Sequence, residues 1–256
     1  MIDLTGQLAL VTGASRGIGR ATALALARAG ADVVLTYLSA RGDAEETAEA
    51  ILDLGRQTLL VRADLGVPED AANLVDAIAD TFGRLDIIVS NAAGGGFRPL
   101  LETDAAQLEA AMRINVGALL VLLERAAPLL EREPGAPRSR VVTVSSWGAA
   151  RALPMYGAIG ACKAALESMT RHAALELGPR GVNVNCVRAG IVDTASLREL
   201  PGADRALAER RTRSLVGDRN LTPEAVADAI LFLVSPMAEM VQGHTLVVDG
   251  GTSLHP

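Results

Sequence analysis

The sequence predicts an α/β fold: a doubly wound parallel sheet of seven strands in a single domain. Three observations predict it. Short apolar bursts alternate with helix-length segments along the whole 256-residue chain, and strict strand–helix alternation implies parallel strands joined by crossovers. Half of the residues are hydrophobic but only 2% are aromatic. The core must then be Ala, Val, Leu and Ile, which suits a sheet covered by helices on both faces. Finally, Gly13, Gly17 and Gly19 follow the first burst and open the first helical segment.

Taken in order, Leu8 to Thr12 reads as the first buried strand. Arg20 to Ala29 repeats Ala and Leu three and four apart, a helix that Gly30 closes. Asp32 to Thr36 and Thr58 to Arg62 are the next strands, and Ala71 to Phe82 is a helix ended by Gly83. Ile87 to Ser90 is the fourth strand. Asp104 followed by Gln107 reads as a capping box. Glu131 to Arg140 is polar and rich in Pro and Gly, a surface loop too short to link domains. Val141 to Ser145 and Asn183 to Val187 are the fifth and sixth strands. Ile191 to Leu221 is less regular and is the expected substrate lid. Thr222-Pro223 opens the last helix as N-cap and first helical residue, and Thr245 to Val248 is the seventh strand.

Charge and composition remove several function classes. A net charge of −6 without a dense basic block argues against nucleic acid as a partner. Cys162 and Cys186 have no metal-binding spacing and read as core thiols, so no metal site is expected. The N-terminus is neither a basic leader nor a secretory apolar segment. No uninterrupted apolar stretch reaches the ~20 residues that span a bilayer. The expectation is a soluble cytoplasmic protein without a membrane partner.

Glycines at 13, 17 and 19 permit a tight turn and close backbone approach to a pyrophosphate at the positive end of the following helix, a Rossmann-type arrangement. The end of the second strand selects the nicotinamide cofactor. Leu35-Thr36-Tyr37-Leu38-Ser39 offers no acid for a ribose 2′-hydroxyl before Asp43, whereas Arg16 and Arg41 flank the place a 2′-phosphate would take. NADPH is therefore expected, with Tyr37 beside its adenosine.

The run Thr12-Gly13-Ala14-Ser15-Arg16-Gly17-Ile18-Gly19 resembles the opening of the short-chain dehydrogenase/reductase superfamily. The resemblance extends from about residue 5 to the C-terminus. It implies cofactor contacts by Ser15, Arg16 and Ile18 beside the glycines. Asp64-Leu65 resembles the adenine-contacting pair, and Asn91-Ala92-Ala93-Gly94 the segment after the fourth strand. Gly190, Val192 and Thr194, in Ala189-Gly190-Ile191-Val192-Asp193-Thr194, resemble the segment that holds the carboxamide. Val247-Val248-Asp249-Gly250-Gly251 resembles the closing strand. Homotetramers assembled through helices here spanning Gln107 to Leu130 and Tyr156 to Leu177 are also implied.

The chemistry turns on one spacing. Most of the superfamily places its tyrosine four residues before its lysine, but position 159 is Ile, and Tyr156 precedes Lys163 by seven. Residues seven apart on a helix differ by about 20° in direction and by about 10.5 Å of rise, so both can share a face. In a ketone, hydride adds to the carbon that bears the charged oxygen. In a 2-enoyl thioester it adds to C3, while charge appears on the oxygen of C1, two bonds farther away than in a ketone, and a tyrosine set back one turn can follow it. The wider spacing marks the enoyl-thioester reductases. With Ser146 and the NADPH preference, the chain looks most like the FabL-type enoyl reductases.

The resemblance implies that Lys163 bonds the nicotinamide ribose, and its cation would ease the phenol toward phenolate. Asn115 resembles the helix asparagine of that superfamily, which implies that it holds a water near the lysine. Ser146 lies where carbonyl reductases of the superfamily place their catalytic serine. Reduction of a carrier- or coenzyme-A-linked enoyl thioester is thus expected, with reduction of a ketone by Ser146, Tyr156 and Lys163 as the alternative. A regulator that has lost catalysis is disfavoured by the intact Tyr156, Lys163, Asn115 and Ser146. Arg198, Arg205, Arg210, Arg211 and Arg213 could attract the phosphate of a carrier phosphopantetheine or coenzyme A, but Asp193, Glu199, Asp204 and Glu209 nearly offset them, which favours a solvated mixed-charge lid. His172, His244 and His255 lie outside every motif.

Overall fold

The computed structural model describes residues 2–255 and contains seven strands: β1 (Leu8–Val11), β2 (Asp32–Tyr37), β3 (Thr58–Arg62), β4 (Ile87–Ser90), β5 (Ser139–Ser146), β6 (Val182–Ala189) and β7 (Thr245–Val248). They form one parallel sheet in the order β3-β2-β1-β4-β5-β6-β7. The helices are α1 (Gly17–Arg28), α2 (Arg41–Asp53), α3 (Pro68–Phe82), α4 (Ala105–Met112), α5 (Ala118–Leu130), α6 (Gly157–Leu177), α7 (Ala195–Arg198), α8 (Ala203–Arg213) and α9 (Pro223–Val234).

Alternation of side chains along each strand builds two cores. Ala9, Val11, Val33, Leu35, Ile87 and Val89 face a layer formed by α1, α2 and α9. Leu8, Leu10, Val34, Ile88 and Val141 face the opposite layer of α3, α5 and α6. The order of winding reverses where β1 lies between β2 and β4. A crevice opens at the strand ends of such a reversal, where open α/β sheets bind their ligands.

The expected strands are all present. β3, β4 and β7 keep their expected bounds, whereas β1 stops at Val11 and β2 reaches Tyr37. The loop expected over Glu131 to Arg140 ends sooner, because Ser139 and Arg140 already belong to β5 and are buried. Their polar side chains disguise a paired backbone: the Arg140 amide donates to the Asp86 carbonyl at 2.8 Å. The capping box at Asp104 is complete, its carboxylate accepting from the Gln107 amide at 2.8 Å. Thr222 likewise caps α9 through the Ala225 amide. Cys162 and Cys186 are free and buried.

The apolar sequence of the longest helical run is interrupted by polar residues at Gln107, Glu109, Arg113, Asn115, Glu124 and Arg125. Ala105–Leu130 is a continuous helical run of 26 residues, through a π-helical turn at Arg113–Gly117, with a mean hydropathy of 1.4 over its most apolar window. By length and composition alone it is long enough to cross a membrane. A third of that window, 33%, is buried in the chain, chiefly through α5 residues such as Leu119, Leu122 and Ala126 on the second core.

A buried polar cluster fastens α6 to the sheet. Ser145 Oγ donates to Glu167 Oε1 at 2.6 Å, and Arg188 Nε donates to the same oxygen at 2.8 Å. The Arg188 amino group also pairs with the other carboxylate oxygen. β5, β6 and α6 are thereby locked in register beside Ser146.

Candidate active site

The loop from β1 into α1 is shaped by what its glycines leave out. A Cβ on Gly19 would lie 2.2 Å from the Gly13 carbonyl oxygen and 2.7 Å from Asn91 Nδ2. Gly13 and Gly17 take φ of 64° and 57°, where a side chain is strained. Asn91 anchors the turn: its amide nitrogen donates to the Thr12 and Gly13 carbonyls at 2.9 and 3.1 Å. The Ala92 N–H donates to Thr12 Oγ1 at 3.0 Å, so β4 and the loop are tied directly. Ser15 is buried and Ile18 packs on the first core, leaving the backbone of the loop to face the crevice.

Arg16 is exposed at the N-cap of α1, and Arg41 opens α2 beyond the end of β2 at Tyr37. They stand as the sequence places them, with one difference. The Arg41 guanidinium is engaged by Glu45 at 2.7 Å, although that pair is exposed and therefore weak. Asp64 accepts the Gly66 amide at 2.9 Å. The Leu65 side chain lies in the second core, so only its backbone can reach a ligand.

On the other side of the crevice, Gly190 is held by its N–H donating to the Val248 carbonyl at 2.9 Å. A Cβ there would meet Asp249 Cβ at 2.8 Å. Val192 is buried and bridges to Leu221. Thr194 caps α7 and lies across from the glycine loop: a Cβ on Gly17 would meet its methyl at 3.3 Å. The Gly13–Gly19 loop and the Gly190–Thr194 segment therefore face one another, as a cofactor that spans them requires.

The tyrosine is placed differently from expectation. Tyr156 is not within α6 but is its N-cap, with φ −113° and ψ 7°, so the two residues do not share one helical face. Its hydroxyl is 2.8 Å from Ser146 Oγ. Burial pushes the phenol above its ordinary value, with the Ser146 hydrogen bond opposing that shift and Cys162 adding to it. The Lys163 ammonium donates instead to the Val144 carbonyl at 2.9 Å. Burial lowers it to about 8, and the neighbouring thiols Cys186 and Cys162 offset part of that effect. A phenol eased toward phenolate by an adjacent lysine is thus not the arrangement found in this chain.

Asn115 sits in the π-helical turn, a departure from regular helix that recurs at functional sites. Its Nδ2 donates to the carbonyls of Gly94 and Ala111 at 2.7 and 2.8 Å, while its Oδ1 is buried without a protein partner. An acceptor left in that state suits a bound water or ligand hydroxyl. Ile159, four residues before Lys163, is 8% exposed and touches the Gly95 position. Position 159 presents an apolar wall rather than a phenol.

The stretch over 191–221 carries α7 and α8. Arg198 pairs with Asp193 and Asp204, and Arg205 with Glu209, as the balanced charges imply. Arg210 departs from that picture: it is 3% exposed and donates to the carbonyls of Arg219 and Asp249. The Asp249 carboxylate accepts Trp147 Nε1 at 2.9 Å, linking α8 to the residue after Ser146. Arg210, Trp147, Glu167 and Phe97, whose ring centroid is 5.9 Å from that of Tyr156, were not legible as site residues. The run Gly94-Gly95-Gly96 before Phe97 was the one signal for the last.

Comparison with known proteins gives consistent matches. A family model described as Enoyl-(Acyl carrier protein) reductase matches residues 13–253. The chain is 36% identical over 249 residues to 1-cyclohexenylcarbonyl-CoA reductase of Streptomyces collinus, covering 97% of this chain and 87% of that protein. It is 35% identical to hydroxynaphthalene reductase of Aspergillus fumigatus, covering 94% and 90%. A short-chain dehydrogenase from Burkholderia cenocepacia, solved in complex with NADP, superposes with a TM-score of 0.88 at 35% identity, covering 98% and 99%.

Proposed function

The chain belongs to the short-chain dehydrogenase/reductase superfamily, and we propose that within it the protein is an NADPH-dependent reductase of a conjugated 2-enoyl thioester. The observation that carries this reading is the pairing of Ser146 with a phenol that enters at position 156, while position 159 is a buried isoleucine. The acidic hydroxyl of the site thus comes from a residue three positions farther back along the chain, at the N-cap of α6. That suits an oxygen three bonds from the carbon that takes the hydride, rather than one as in a ketone.

The residues present fit a dinucleotide. Gly13, Gly17 and Gly19 leave the backbone cradle that a Cβ would fill, with Ser15, Arg16 and Ile18 at the positive end of α1. Tyr37, Arg41, Asp64 and Leu65 would border the adenosine, Asn91 and Ala92 the middle, and Gly190, Val192 and Thr194 the nicotinamide. When bound, the cofactor supplies a hydride.

The chain supplies the rest. Tyr156 would donate a hydrogen bond, and then its proton, to the thioester oxygen as negative charge develops there. Ser146 would fix the direction of that hydroxyl. A phenol held above its ordinary value keeps its proton until such an oxygen needs it. Lys163 would turn its ammonium from the Val144 carbonyl toward ribose hydroxyls, and Asn115 Oδ1 would order a water on the path that reprotonates the phenol. We place the substrate as a carrier- or coenzyme-A-linked acyl group, and the protein as a cytoplasmic homotetramer without nucleic-acid or membrane partners.

Ser146 beside Tyr156 also favours a second reading, because two hydroxyls at 2.8 Å can grip one ketone oxygen together. Reduction of a 3-ketoacyl or polyketide ketone would follow. The two are separated by following NADPH oxidation with crotonyl-CoA and acetoacetyl-CoA. The enoyl reading expects turnover of the crotonyl thioester, and turnover of only the acetoacetyl thioester would replace it.

A further inference from the structure

We propose that Gly148 is a positioning residue for Tyr156: the missing side chain at 148 is the slot in which the ring lies. The inference rests on Tyr156 being the proton donor of the reading above. A Cβ on Gly148 would lie 2.3 Å from Tyr156 Cδ1 and 2.4 Å from Cε1. Carbon atoms in contact sit about 3.5–4 Å apart, so a single methyl group requires the ring to move by about 1 Å or more.

The backbone does not call for glycine here. Gly148 is absent from the residues with positive φ, so an L-residue meets no conformational obstacle, and what the position provides is space. Gly160 backs the same slot. It lies inside α6, where glycine weakens a helix, and its own Cβ would meet the Gly148 carbonyl oxygen at 2.7 Å. Gly148 and Gly160 touch backbone to backbone, and the ring lies over the junction.

The ring also has few ways to yield. Its hydroxyl is tied to Ser146 at 2.8 Å and Phe97 packs against it at 5.9 Å between centroids. The Gly160 amide donates to the Tyr156 carbonyl at 2.7 Å, and the preceding Met155 holds φ 60°, an unusual value for a bulky residue. A displaced ring would carry its hydroxyl away from both Ser146 and the reacting oxygen.

The test uses the full chain with Gly148→Ala, Tyr156→Leu and the two combined, assayed on whichever of crotonyl-CoA and acetoacetyl-CoA the parent reduces. Gly148→Ala should lower kcat by about 10²-fold, the scale of a reacting group misplaced by about 1 Å. Its KM for NADPH should stay within about twofold of the parent, because cofactor binding is not what the ring serves. It should also lower Tm in the parent but not in the Tyr156→Leu background, where the ring is gone. If Gly148→Ala alone does not fold, recovery of folding in the combined variant supports the slot equally. A folded Gly148→Ala protein with parental kcat would overturn the proposal, as would equal Tm losses in both backgrounds. Parental turnover in Tyr156→Leu would instead overturn the role of the phenol, and the Tm comparison would still judge the slot.

Discussion

The hydroxyl of Tyr156 lies 2.8 Å from Ser146 Oγ, and this contact joins the N-cap of α6 to the end of β5. It places the phenol by a partner on the sheet rather than by the helix that carries Lys163. Burial holds the proton on the phenol, and the serine aims it. In the proposed reading the proton transfer rests on that pair, with the lysine serving the cofactor.

Cofactor preference is the first expected outcome. Arg16 is exposed at the glycine loop, whereas Arg41 is shared with Glu45 at 2.7 Å. Replacing both with Ala should weaken NADPH much more than NADH, with Arg16→Ala accounting for most of the loss. Fluorescence titration with each cofactor measures it. Equal weakening of both cofactors would count against a 2′-phosphate role.

Lys163 gives a pH-dependent outcome. Its ammonium is lowered from 10.5 to about 8 by burial. Between those values the unfolded chain holds a proton that the folded chain has released, so stability rises as pH climbs through that window. Below about 8 the whole penalty of the buried cation is present. Lys163→Met should therefore stabilise the cofactor-free protein at pH 7, by at most about 3 kcal/mol, with the gain fading toward pH 10. The same variant should lose the Tm increase that NADPH gives the parent. Urea unfolding at both pH values checks the sign, and a variant less stable at pH 7 than at pH 10 relative to the parent would contradict it.

How much of this was readable without coordinates differs by element. The strands were, because Val33-Val34-Leu35 and Ile87-Ile88-Val89 are buried on both faces and leave no polar alternation to confuse the pattern. Arg140 was not, since a charged side chain hides a residue whose backbone completes the β4–β5 ladder. The glycine loop was legible because Gly13 and Gly17 answer a backbone demand. Gly148 was not, because the demand comes from a ring eight residues later and only the fold brings the two together. The spacing of Tyr156 and Lys163 was visible, but its cause was misread: the tyrosine ends the loop and precedes the helix.

The proposed tetramer predicts that faces left open by the single chain are covered in solution. Leu120 on α5 and Leu175 on α6 are 55% and 74% exposed, on the two helices expected to join subunits. Packing of those faces against other copies would cover them. Light scattering at micromolar concentration should give a tetramer mass, and Leu120→Glu with Leu175→Glu should reduce it. A monomer mass for the parent would remove the inference.

Delivery of the proton by Tyr156 in an enoyl-thioester reduction is read out by the Tyr156→Phe variant. The ring would still fill the slot beside Gly148, and the proposed cofactor site lies in the glycine loop and the Gly190–Thr194 segment, so NADPH affinity should remain near that of the parent. Steady-state turnover of crotonyl-CoA should fall by about 10²-fold or more, the scale of a lost general acid. Turnover by Tyr156→Phe close to the parental rate would contradict the account.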